Sequence, residues 1–351
     1  MSVKKRKDGR WQVYVVRKVD GVRTKIRKSA RTREEGYRLE RELLGRFDRG
    51  EVQLGKSPLF SEWAKEFLAV YPVGNNKPSE VAAKTMIVNT HLVPFFGNEP
   101  LDRVTVGTVE RFKAHQRKEG FAPKTINNRL TVLRRMLVVA TEWGRLGHAP
   151  KVKLLKVGPQ KFRFLDFEES RCFLESAQTD WRAMMVIALR TGLRRGELLA
   201  LRWEDVNIAK SVVDVQRSVW KDIEVAPKGG RSRKVPLSAD AKEALRSLPS
   251  RFKKGYVFGR GDVRLTTGEI QYPMIAASKK AGMKRVGWHV LRHTFASQLA
   301  MKGVPLRVIQ EWMGHSTIAM TERYAHLAPG FSSEAVSLLD DAPTTAKEAS
   351  A

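Results

Sequence analysis

Residues 191–203, TGLRRGELLALRW, bracket Leu193, Arg194 and Arg195 between Gly192 and Gly196, with apolar runs on both sides. The upstream run WRAMMVIALR has helical spacing, and glycine stops such a helix because it accepts the left-handed backbone a C-terminus needs. Arg194 then falls in a tight turn just before a second helix that begins near Gly196. Free N–H groups at a helix start attract anions, so an arginine there is well placed for a phosphate. A surface ion pair of Arg194 with Glu197 or Glu204 is the competing reading.

Three further segments carry residues of the same chemical kind. In HVLRHTFAS (289–297), His289 and His293 stand at i and i+4 of one helix, which is a metal-ligand spacing. Val290, however, occupies the position where a zinc protease needs glutamate. Arg292 lies three residues from His289, and an imidazole beside a guanidinium suits a phosphate better than a cation. In KGGRSRKVPL (228–237), Lys228 sits in a loop between two expected strands, with Gly229 and Gly230 letting the backbone bend. SVVDVQRSVW, DIEVAP and RKVPLS read as three consecutive antiparallel strands. In WMGHSTIAMTERYAH (312–326), His315 follows Gly314 at a helix-ending turn. Tyr324 comes nine residues later, among Thr321, Glu322, Arg323 and His326. An isolated tyrosine is usually a core residue, but these polar neighbours argue for another role.

The rest of the chain is strongly basic. Its 351 residues hold 65 Lys and Arg against 37 Asp and Glu, a formal net charge of +28. Apolar residues at 42% suffice for real cores, so the charge does not mark a disordered tail protein. Such a field attracts polyanions, chiefly nucleic acid or an anionic membrane surface. There is no run of about 18 apolar residues, and MSVKKRKDGRWQ lacks an apolar signal core. A cytoplasmic protein with no membrane partner is expected. The lone Cys172 excludes an internal disulfide framework and a multi-cysteine zinc site.

A multidomain, mainly α chain with small β-sheets is expected. Residues 1–55 form the first domain, with eleven Lys and Arg against two Asp in residues 1–30. KDG (7–9) and VDG (19–21) read as hairpin turns between three strands, with Trp11, Val13 and Val15 on one face and a helix from Thr32 to about Phe47 following. Gly55-Lys56-Ser57-Pro58 marks a boundary. Residues 57–150 read as helical, broken at 71–80, 95–100 and 118–124. Ile126, Leu130, Leu133 and Leu137 form a core-facing stripe, while Asn127, Asn128, Arg134 and Arg135 fall largely elsewhere, on a face that is either solvated or against a duplex. Residues 151–164 form an extended linker with five Lys and Arg and no acid. Asp166 and Glu169, at capping-box spacing, open the last domain, 165–330. Residues 331–351 are an acidic tail, in which FSSEAVSLL packs on its own domain or docks on a neighbouring subunit.

Together, Arg194, Lys228, His289, Arg292, His315 and Tyr324, in that order and in these contexts, resemble the tyrosine recombinase (phage integrase) family. The resemblance is most specific over residues 160–330. Residues 57–150 resemble the family's helical core-type DNA-binding domain, and the N-terminal sheet and helix resemble its arm-type domain.

The resemblance implies an α+β catalytic domain that cuts and rejoins DNA without metal, ATP or cofactor. Tyr324 would attack a phosphodiester to give a 3′-phosphotyrosine and a free 5′-hydroxyl. Arg194 and Arg292 would stabilise the pentavalent transition state, with His289 and His315 as donors or proton carriers. Lys228 would protonate the leaving oxygen, and surrounding arginines would favour the Tyr324 phenolate. Expected DNA contacts are Lys4, Lys5, Arg6, Arg10, Arg17, Arg23 and Lys25 in the first domain, Lys124, Arg134 and Arg135 in the second, and Lys151 and Lys153 in the linker. Implied partners are double-stranded DNA with core-type and arm-type attachment sites, three further copies of the chain in a homotetramer, and accessory DNA-bending and directionality proteins. The setting would be a bacterial host cytoplasm, and the task the integration and excision of a phage or mobile element. A type IB topoisomerase and a non-catalytic DNA-binding regulator are the alternatives.

Overall fold

A computed structural model describes residues 3–19, 22–48, 57–158, 162–221, 223–225, 232–252 and 254–329. Asp20-Gly21, Gly55-Lys56, Lys228 with its glycines, and the 331–351 tail lie outside the described residues. The chain divides into two compact units, Met1–Gln160 and Lys161–Ala351.

The first unit begins with strands β1 (Val3–Lys5), β2 (Trp11–Val19) and β3 (Val22–Ala30), an antiparallel sheet in the order β1-β2-β3. Helix α1 (Arg33–Asp48) packs on it, so Val3, Val13, Val15 and Ala30 are buried with Leu43 and Phe47. Strand alternation sends Lys4, Lys25 and Arg27 the other way. Tyr14 pairs with Arg27 and Val16 with Lys25, on the face opposite Val13 and Val15. Lys4, Lys25 and Arg27 are exposed, and the Arg27 guanidinium stands 5.4 Å from the Tyr14 ring.

Helices α2 (Phe60–Asn75), α3 (Pro78–Ile87), α4 (Val93–Phe96), α5 (Val106–Lys118) and α6 (Pro123–Glu142) enclose the second core. The stripe Ile126, Leu130, Leu133 and Leu137 is fully buried there, against Trp63, Phe67 and Phe112. Three expectations need correction. Helix α2 does not break at Tyr71 but runs on through Pro72 to Asn75, with Tyr71 stacked on Phe67 and its hydroxyl accepting a 2.6 Å bond from Arg135. Asn127 is neither solvated nor displayed. It is buried, donating to the Leu155 carbonyl at 2.9 Å and accepting from its N–H at 2.8 Å. The linker is therefore fastened at this end: Val152 is buried in the helical core, while Lys151, Lys153 and Lys156 point outward.

The second unit opens with α7 (Phe167–Glu175), capped by Asp166 and Glu169 as expected. Helix α8 (Thr179–Thr191) is buried from Ala183 to Leu189, and such all-round apolarity makes it the central element. Then come α9 (Arg195–Ala200), β4 (Val206–Asn207), β5 (Val212–Val215), β6 (Ser218–Trp220), β7 (Ile223–Val225) and β8 (Arg233–Pro236). The expected meander of three consecutive strands is instead two sheets, β4-β5-β8 and β6-β7. The run 211–220 is split at Gln216-Arg217, where Arg217 turns to pair with Asp205 and Glu204. Helices α10 (Ala239–Arg246), α11 (Gln271–Lys280), α12 (Trp288–Met301) and α13 (Leu306–Met313) complete the unit, followed by a 3₁₀ turn over Glu322–Leu327.

Candidate active site at the end of a helix

Helix α13 ends at Gly314, whose backbone is left-handed with φ of 60°. The last carbonyls of a helix have no partner within it and form its negative pole. Here three arginines from three different elements supply the partners in succession. Arg233 on β8 donates Nε–H to the Trp312 carbonyl at 2.7 Å, Arg292 on α12 donates to the Met313 carbonyl, and Arg194 donates to the Gly314 carbonyl at 3.0 Å. Arg292 also donates to the Gly192 carbonyl at 2.5 Å. Gly192 is required at that point. Its φ is 62°, and a Cβ would lie 2.4 Å from Phe295 Cδ1.

Three guanidiniums so close need a counter-charge, and Glu197, 1% exposed, provides it. Its carboxylate accepts from Arg194 at 2.8 Å and from Arg233 at 3.0 and 2.7 Å, and also from the Arg194 backbone N–H. Burial alone would push this carboxyl up. The bonds and charge of Arg233, then those of Arg194, outweigh burial and hold it at about 2. Arg292 is lowered by burial and by its like-charged neighbours to about 9, still a cation at neutral pH.

His315, the residue after Gly314, donates its N–H to the Gln310 carbonyl at 3.1 Å and sets Nδ1 2.8 Å from the Thr321 hydroxyl. Burial, then the charges of Arg292 and Arg194, lower it to about 3. Tyr324 is 1% exposed, among Phe295, Ile309 and Met313, and its hydroxyl lies 2.6 Å from Nδ1 of His293. This corrects one expectation, that the arginines lower the phenol. Tyr324 is buried despite its polar sequence neighbours, and burial raises its pKa against the opposing charges of Arg292 and Arg323. The site therefore sets a neutral phenol and a neutral His315 imidazole beside a cluster of cations.

The phage integrase family matches residues 163–330. The tyrosine recombinase XerC of Xanthomonas campestris pv. campestris (strain B100) is 31% identical, over 66% of this chain and 72% of its own. The chain belongs to the phage integrase family. This integrase-family chain is a tyrosine-type site-specific recombinase. The ICEBs1 integrase of Bacillus subtilis (strain 168) is 27% identical over 97% of this chain and 100% of its own. A lambda integrase tetramer bound to a Holliday junction has the same fold, with a TM-score of 0.62 at 17% identity over 92% of this chain and 94% of that one.

Of the recombinase's expected site residues, Arg194, Arg292, His315 and Tyr324 gather around the end of α13. His289 is exposed on α12 with its ring 4.6 Å from that of His293. Lys228 lies outside the described residues. Arg194 is partnered by Glu197, not Glu204, and faces inward. Sequence reasoning missed Arg233 and His293 as parts of the site. Arg233 lies within KGGRSRKVPL, where Lys228 draws the attention, and the i, i+4 spacing of His293 with His289 points to a metal pair instead. Among the described residues no group of three His, Cys, Asp or Glu is arranged to hold a metal ion, and no helix is long and apolar enough to cross a membrane.

Among the expected DNA contacts, Lys4, Lys5, Arg6, Arg10, Arg17, Lys25, Lys124, Arg134, Lys151 and Lys153 are exposed. Arg135 is half-buried and engaged with Tyr71 and Glu142. The Arg23 side chain lies outside the described residues.

Proposed function

We propose that this recombinase exchanges strands between two DNA duplexes, with Tyr324 as nucleophile, Arg194 and Arg292 on the scissile phosphate, His289 and His315 as further donors, and Lys228 as general acid. The observation that carries this reading is the mooring of Arg194 and Arg292 on consecutive carbonyls beside the buried Tyr324 hydroxyl. The bonds described engage two of the five N–H donors of each guanidinium. Donors therefore remain for the non-bridging oxygens of a phosphodiester. Attack by the phenol forms the Oη–P bond and breaks the P–O5′ bond, and the 5′-oxygen takes a proton from Lys228. The bond energy stays in the phosphotyrosine, so rejoining needs no other energy source. Burial first, and then neighbouring charges including the arginines, lower the His293 and His315 imidazoles, and a bound anion offsets the charge part of that shift.

The chain contacts DNA in three places on this reading. Residues 1–55 bind arm-type sites, residues 57–150 with the 151–164 linker bind the core site, and residues 165–330 carry the chemistry. Integration and excision of a phage or mobile element by a tetramer in the bacterial cytoplasm, aided by bending and directionality proteins, is the biological role these parts fit. The exposed basic face of the N-terminal sheet supports the arm assignment.

The Tyr324→Phe variant tests the chemistry. Recombination and covalent adducts on nicked suicide DNA should vanish while DNA binding persists. Adducts that survive the substitution overturn the nucleophile assignment. Deleting residues 1–50 should abolish integration on full attachment sites but spare cleavage of isolated core sites.

A further inference from the structure

The phenol of Tyr324 must lose a proton as it attacks, and the group in contact with that proton is not in the six-residue set. His293 Nδ1 lies 2.6 Å from the Tyr324 hydroxyl, in a buried contact between α12 and the 3₁₀ turn. We infer that His293 is a further catalytic residue, the base that receives the phenolic proton through Nδ1. The inference rests on Tyr324 being the nucleophile.

The surroundings fit that task. The Phe162 ring lies 5.0 Å from the His293 ring and 5.1 Å from that of Tyr324, so one aromatic side chain covers both partners. His289 and Arg292 face His293 from its own helix, with Arg323 and Tyr324 from the 3₁₀ turn and His315 from beyond α13. Burial, then His289, Arg323 and Arg292, lower His293 to about 4, so it is a neutral acceptor at neutral pH. The other two site histidines are less suited. His315 commits Nδ1 to the Thr321 hydroxyl, and His289 is exposed, its ring set against His293. A phosphodiester anion entering among the arginines favours protonated imidazole and so strengthens His293 as a base at the moment it is needed.

The proton balance closes within the site. In cleavage the proton passes from Tyr324 Oη to His293 Nδ1 as the Oη–P bond forms, and Lys228 protonates the departing 5′-oxygen. In rejoining, the 5′-hydroxyl returns its proton to Lys228 and attacks phosphorus, and Tyr324 leaves with the proton held on His293.

The test uses His293→Asn, which keeps an acceptor oxygen near the Nδ1 position but cannot hold a proton at neutral pH. Covalent adduct formation is followed in single turnovers on a nicked suicide duplex carrying the core site, with either oxygen or sulfur at the bridging 5′ position. The variant should be slower by about 10²–10⁴-fold, with a rate that climbs with pH toward the phenol range. Sulfur, a better leaving group, should rescue Lys228→Ala but not His293→Asn. A rate within about threefold of wild type with an unchanged pH profile overturns the inference. So does rescue by sulfur, which would move His293 to the leaving-group side. Nitrogen-15 NMR of the wild-type imidazoles is independent of how the variant folds: the proton should reside on Nε2 of His293, and a proton on Nδ1 in the free protein overturns the inference. Adducts formed by Tyr324→Phe would instead refute the underlying nucleophile assignment.

Discussion

Arg233 grips both carboxylate oxygens of Glu197, at 3.0 and 2.7 Å, and Glu197 in turn holds Arg194 at 2.8 Å. One buried carboxylate thus fixes two arginines, one of which the proposed chemistry aims at the phosphate.

Replacing Glu197 with glutamine should leave two guanidiniums without their counter-charge. Removing one member of a buried ion pair typically costs about 3–5 kcal/mol. Urea unfolding should register a loss of that order, and adduct formation should fall because Arg194 loses its anchor.

The same carboxylate predicts an acid transition. Glu197 sits at about 2 in the folded chain against an ordinary 4.5. A carboxyl lowered by folding stabilises fully above its unfolded value, and that stability is lost as pH falls through the folded one. The unfolding free energy of the wild type, read from urea titrations, should therefore fall by about 3 kcal/mol from this group between pH 4.5 and 2. Glu197→Gln should show a shallower decline over that window.

Phe162 covers Tyr324 edge-on at 5.1 Å. In Phe162→Ala the phenol should become accessible, and tetranitromethane should nitrate Tyr324 faster than in the wild type. Unchanged protection, read by peptide mass mapping, would mean that the remaining core shields the ring.

Asn127 makes both side-chain bonds to the backbone of Leu155. Asn127→Ala should cost about 1–3 kcal/mol, since two backbone groups lose their partner. Trypsin should then cut faster at Lys153 and Lys156.

Lys25 and Arg27 share the sheet face that α1 leaves uncovered. On the proposed assignment of residues 1–55 to arm-type sites, neutralising either should weaken that binding across sequences and reduce the slope of log affinity against log salt by about one.

The motifs were legible because each is local: a glycine stop, a capping pair, a helical stripe. Helix α8 with its Gly192 end, the Asp166–Glu169 cap and the stripe from Ile126 to Leu137 all follow from spacing. What the sequence hid depends on distant partners. Arg233 is 36 residues from Glu197 in the chain, and nothing near either residue marks the pair. The strand run at 211–220 alternates as a strand should, but Arg217 finds two acids upstream and the ladder ends there. The burial of Tyr324 is hidden by its polar neighbours. In a 3₁₀ turn residues three apart eclipse, so Thr321 and Tyr324 both point inward while Glu322 and Arg323 stay exposed.

The three arginines are fastened to main-chain carbonyls, which belong to no side chain. Exchanging Trp312 or Met313 for residues of similar volume leaves those acceptors in place, so the anchorage tolerates drift in the residues that carry it. It is vulnerable instead to register. Deleting one residue inside α13 would rotate the following carbonyls by roughly 100° about the helix axis, and all three arginines would lose their moorings at once. The site is in this sense protected against point changes and exposed to a shift in count.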